Sequence, residues 1–213
     1  MSAPERVARA RHLVSKQIDD LRELIPISEA NRFIVYSPIL AAQIPQSYGA
    51  NAFNVFQWSS LNYEIVRVCA LWDNPRKDRA SVPTVLKLVE GPACREIIKR
   101  DLGYDPRYVD AQLQRLDRAS EVAALVKSSR FNAALRSFRD EKVAHNLDFG
   151  TRAPPATTLK YGYERRLLRA SIAIVSNLNN AIRNSSFMFD DAIEQGRRNA
   201  AALWNGCSFS VTE

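Results

Sequence analysis

Apolar residues in this chain recur every three and four positions along most of its length. Few stretches alternate as a half-buried strand would. Val7, Val14, Ile18, Leu21 and Ile25 share one stripe, with Arg and Asp on the opposite side. A second run from about Ala52 to Asp73 is studded with Phe53, Phe56, Trp58, Leu61, Ile65, Val68, Cys69, Leu71 and Trp72, and reads as the central core helix. Glycine is scarce, with seven in 213 residues. The expected fold is all-α, an antiparallel helical bundle with additional helices at both ends.

Local signals place the boundaries. The first helix is expected from Pro4 to Leu24, with a break at Pro26–Ser28 because proline lacks the N–H that a helix interior needs. Phe33–Gln43 is a further helical stretch, punctuated by Pro38 and Pro45. Asp73-Asn74-Pro75 ends the core helix. Ser81 is an N-cap, with Pro83 in the first turn, for a helix to about Glu90. Helices follow at Pro92–Asp101, from Asp105-Pro106 to about Ser129, and over Phe131–Leu147 after a kink or without one. Gly150–Thr158 is a loop, and Leu159–Phe187 and Asp190–Leu203 complete the set. The chain is read as one domain, with a core over about 52–187, an N-terminal helical extension over 1–50, and a C-terminal helix and tail over 188–213.

Composition narrows the chemistry. Only two histidines, His12 and His145, and three dispersed cysteines are present, too few for a zinc ribbon or a histidine cluster. No Asp-rich loop has EF-hand spacing, and no cofactor is expected. The unpaired cysteine count points to a reduced, cytoplasmic protein. The first twenty residues lack the apolar segment of a secretory signal, and no apolar run is long enough for a membrane span. The formal charge of +7 is carried mostly by arginine, 23 against 7 lysines. Arginine pairs bidentately with phosphate, which suits RNA or DNA; codon bias toward arginine is an equally good account.

One constellation carries chemistry. Arg139 is followed by Asp140 and, after five intervening residues, by His145, which has Ala144 directly before it. Upstream, Ala70-Leu71-Trp72-Asp73 closes the core helix, and Ser81-Val82-Pro83-Thr84-Val85-Leu86 opens the next. These blocks, in this order between about residues 52 and 148, resemble the HEPN superfamily and its AbiU-type, abortive-infection branch. Arg6 and His12 share the same spacing, but Arg11 directly precedes that histidine and no acidic or amide residue follows that arginine.

The resemblance implies a homodimer in which two Arg…His helices meet. It also implies a metal-independent endoribonuclease that leaves a 2′,3′-cyclic phosphate and a 5′-hydroxyl, acting in phage defence or as the toxin of a toxin–antitoxin pair. On a regular helix the two side chains diverge by about 120° over a rise of about 9 Å, so a single straight helix does not aim both at one phosphate. His145 is assigned to general acid–base work or orientation of the 2′-OH, and Arg139 to stabilising phosphoryl charge. Asp140 and Glu141 would orient these groups, and Asn146 would contact phosphate or base. The alternative is a non-catalytic HEPN module that binds RNA or a protein partner, such as an antitoxin or a nucleotidyltransferase subunit.

Taken without the resemblance, His145 lies near the continuation of the Phe131–Leu135–Phe138 stripe, the position of a core histidine. Arg136, Lys142, Arg165, Arg166 and Arg169 are candidates for tracking an RNA backbone, or else form a solvated helix face. Tyr161 and Tyr163 would stack on bases or pack locally. Cys69 reads as a small buried hydrophobe. Glu64 and Asp73 read first as cap or surface residues; the resemblance implies, as a second reading, a polar residue there that faces the Arg…His helix.

Overall fold

The computed structural model describes residues 1–44, 48–144 and 158–208. Within them the protein is an all-α helical bundle with no strand. The helices are α1 (Ala3–Ile34), α2 (Pro38–Gln43), α3 (Tyr48–Ala70), α4 (Val82–Val89), α5 (Pro92–Leu102), α6 (Pro106–Lys127), α7 (Arg130–Phe138), α8 (Tyr163–Arg183) and α9 (Phe189–Trp204). A π-helical segment, Arg139–Ala144, continues directly from α7.

The chain divides into two compact units. The first comprises Met1–Leu21 and Val68–Phe187, the second Arg22–Arg67 and Met188–Glu213. In the first unit, α1 buries Val7, Ala10, Val14, Ile18 and Leu21, a three–four repeat that fits one helix face. Helices α6 and α8 pack together: α6 buries Val109, Leu113, Leu116 and Ala123, and α8 buries Leu167, Ile174, Val175 and Leu178. Burying each of the larger side chains contributes about 1.5–3 kcal/mol relative to exposure. In the second unit a polar cluster lies inside: Asn31 donates to Glu64 at 2.6 Å, and Ser60 Oγ is 2.5 Å from Asn31 Oδ1.

The Ser81 cap holds, and two further helix starts are capped in the same way. Ser81 Oγ accepts from the Thr84 amide, Asp105 from Arg107, and Ser129 from Asn132. Each such cap stabilises its helix by about 1 kcal/mol. Ser129 resolves the kink: α6 stops at Lys127 and α7 restarts at Arg130.

Three expectations are corrected. Helix α1 does not break at Pro26 but runs through it to Ile34. One missing hydrogen bond is outweighed there by burial on both sides, since Leu24, Ile25, Ser28, Asn31 and Ile34 are all buried. Gly196 of α9 also packs close to Pro26; a β-carbon on it would lie 3.4 Å from Pro26 Cα. Second, α3 ends at Ala70, not Asp73, and the chain leaves through a tightened turn. Third, α8 begins at Tyr163, four residues later than expected, after Gly162 in the left-handed region at φ 87°. The expected loop Gly150–Thr158 falls almost wholly outside the described residues.

Candidate functional site

The site is assembled where α3 ends. The Trp72 amide donates to Cys69 O at 2.9 Å and the Asp73 amide to Ala70 O at 3.3 Å, closing the last turn. The Trp72 indole N–H donates to Ser171 Oγ of α8 at 2.8 Å, and Ser171 donates on to Leu167 O. These bonds fix the exit of α3 and therefore the position of the Asp73 carboxylate.

Asp73 serves two arginines with its two oxygens. Arg139 Nη1 donates to Oδ1 at 2.9 Å, and Arg79 Nη1 lies 2.5 Å from Oδ2. Arg139 also donates through Nε to Asp140 Oδ1 at 2.8 Å, with Nη2 2.7 Å from the same oxygen. The Arg139 side chain is 15% exposed and Asp73 19%, whereas Asp140 is 43% exposed. Burial opposes the charged form of Arg139, but hydrogen bonds to Asp73 and Asp140 outweigh it and raise its pKa above the ordinary arginine value. The guanidinium has five N–H donors. Among the described residues three of them are engaged, one by Asp73 and two by Asp140.

Asp73 is thus a partner of the Arg139 segment and not a cap or surface residue. It joins the end of α3, the loop before α4 and the start of the π-segment. Glu64 differs: it is buried, so its surface reading is overturned, and its bond to Asn31 lies in the second unit. Arg79 was not singled out in the sequence. The only signal for it was a cation six residues beyond Asp73 on the same loop.

The winding of the segment also matters. Arg139–Ala144 is π-helical, closed i→i+5 and not i→i+4. The regular-helix geometry assumed for the Arg139–His145 spacing therefore does not apply over these residues. His145 and Asn146 themselves lie outside the described residues.

The remaining candidates fall in several places. Ser137 donates to Glu141 at 2.5 Å, so Glu141 turns back toward α7. Arg136 is half-buried and donates to Trp72 O at 3.4 Å, where a cation complements the C-terminal end of α3. Lys142 is exposed. On α8, Arg166 and Arg169 are exposed and Arg165 half-buried. Arg166 sits 6.0 Å over the Tyr163 ring, and that ring meets Phe131 edge-on at 6.4 Å. Tyr163 therefore packs locally, whereas Tyr161 is exposed. Cys69 is fully buried, and burial pushes its thiol up to about 12 against the opposing pull of Arg139 and Arg136. His12 is exposed on α1, and Arg6 donates to the carbonyls of Lys87, Leu88 and Glu90 at 2.8–2.9 Å. The second Arg…His pair thus uses its arginine to tie α1 to the end of α4.

Among the described residues, no group of three His, Cys, Asp or Glu side chains is placed to hold a metal ion. No helix there is long and apolar enough to cross a membrane. No curated protein and no solved structure matches the chain. A family model described as AbiU2, of the HEPN type, matches residues 5–203.

Proposed function

Because the chain belongs to the AbiU2 family of HEPN domains, we propose that it is a metal-independent endoribonuclease. The observation that carries this reading is Arg139: charged, largely buried and fixed by two carboxylates, at the head of the segment that leads into His145. The RNA 2′-OH attacks the adjacent phosphorus, and its proton passes to the imidazole of His145. Arg139 stabilises the charge that builds on the non-bridging oxygens. The 5′-oxygen leaves and takes a proton, giving a 2′,3′-cyclic phosphate and a 5′-hydroxyl.

In this reading the protein is a cytoplasmic homodimer in which two Arg139–His145 segments share one cleft. A twofold interface brings each group to its symmetry mate. The setting is phage defence by abortive infection, or toxicity restrained by an antitoxin. His145→Ala is expected to abolish RNA cleavage and growth toxicity while leaving the fold and the dimer intact. Equal cleavage by that variant would overturn the assignment.

One observation favours a second reading. Arg139 is electrostatically satisfied by Asp73 and Asp140 without any phosphate. A non-catalytic HEPN module that binds RNA, or a protein such as a nucleotidyltransferase subunit, needs nothing more of it. That reading expects no change in function from His145→Ala.

A further inference from the structure

A cavity of about 490 Å³ lies beside α1, α4 and the loop between α3 and α4. Its lining includes Arg6, Arg9, Arg76, Lys77 and Lys87, against one carboxylate, Glu90. The five cations are not equivalent. Arg6 is fixed by three carbonyls, and Arg9 donates to Lys77 O at 3.5 Å. Arg76, Lys77 and Lys87 are exposed, and their side chains have no carboxylate partner among the described residues. Three unpaired like charges around one concavity repel each other, and an anion relieves that repulsion.

The loop that presents Arg76 and Lys77 is held in place. The Arg76 amide donates to Thr84 Oγ1 at 3.4 Å, the Arg79 amide to Arg76 O at 3.2 Å, and Gln17 Nε2 to Ala80 O at 3.0 Å. The same loop begins at Asp73, the carboxylate that fixes Arg139. Asp73 and Arg76 are three residues apart, so their α-carbons are separated by at most about 11 Å. The basic cavity and the Arg139 site therefore lie within a few nucleotides of one another along an extended strand.

We propose that this cavity binds the phosphodiester backbone of single-stranded RNA, as a subsite that holds the strand flanking the phosphate at Arg139. The assignment rests on the reading of Arg139 as an RNA site. A concave cavity whose loop leads directly to that site suits a strand; a bilayer surface does not enter it.

The test uses the full chain with Arg76→Gln, Lys77→Gln and Lys87→Gln combined. All three side chains are exposed and have no carboxylate partner among the described residues, and Arg6 is left in place. Binding is followed by anisotropy with a labelled 2′-O-methyl RNA of about a dozen nucleotides, which cannot undergo 2′-OH attack. Losing three phosphate contacts lowers the slope of log affinity against log salt by about 2, and the affinity at about 0.1 M salt by roughly 100-fold. That result supports the subsite whether or not the parent protein cleaves RNA. Unchanged affinity and slope would overturn it, even if His145→Ala abolishes cleavage. So would RNA binding at the parent level together with lost binding to phosphatidylserine vesicles, which would give the cavity to a membrane. Absence of any RNA binding by the parent protein would overturn it as well.

Discussion

Removing the Asp73 carboxylate tests the ion-pair centre directly. Asp73→Ala deletes two contacts at once, to Arg139 at 2.9 Å and to Arg79 at 2.5 Å. They differ in weight. Arg139 and Asp73 are both largely buried, and a charge-assisted hydrogen bond there contributes about 1.5–3 kcal/mol. Arg79 is 37% exposed and regains water when its partner goes, so its pair contributes under about 1 kcal/mol. Arg139 keeps Asp140 and is not left as an isolated charge, which holds the loss below the 3–5 kcal/mol of a fully broken buried pair. The expected destabilisation is about 2–3 kcal/mol, read from urea unfolding at fixed protein concentration by far-ultraviolet circular dichroism. A double-mutant cycle apportions it: coupling of about 1.5–2.5 kcal/mol between Asp73 and Arg139, and less than about 1 between Asp73 and Arg79. A Asp73–Arg139 coupling under about 0.5 kcal/mol, or one smaller than that of Asp73 with Arg79, would refute the reasoning.

Two further outcomes are expected. In the folded protein a thiol reagent at pH 7–9 should label the half-exposed Cys207 and spare Cys69 and Cys94, which are buried. Because burial raises the Cys69 pKa to about 12, its thiolate stays scarce throughout that range, and fast labelling of Cys69 would contradict the packing around it. Gly196→Ala places a β-carbon at ordinary contact distance from Pro26 and Glu29 and removes a helix-interior glycine. It should stabilise the protein by about 0.5–1 kcal/mol, and a drop in the urea midpoint would show that the approach of α9 to α1 is tighter than that.

What the sequence revealed follows the range of the forces involved. Although Ser129 was not read as a cap, Ser81 was readable as one, and Asp105-Pro106 as a helix start, because such signals are settled within three residues. The passage of α1 through Pro26 was not, because it depends on burial by residues distant in the chain, Gly196 among them. Arg139 was found through its spacing to His145 and its resemblance to a family. Its partner Asp73 lies 66 positions away and also looked like an ordinary helix terminator. Arg79 was marked only as a cation six residues beyond Asp73 on the same loop. The π-winding from Arg139 to Ala144 was invisible because an apolar stripe is counted with a period of 3.6, and a change of winding leaves no trace over six residues.

That wide turn has a consequence for the length of the segment. A turn closed i→i+5 holds one residue more than a turn closed i→i+4. Loss of one residue between Arg139 and Ala144 can be absorbed by reverting to ordinary helical winding, with α7 left undisturbed. In a regular helix the same deletion would swing everything downstream by about 100°. The segment that leads into His145 is therefore a stretch where the count of residues between Arg139 and His145 can change without rebuilding α7.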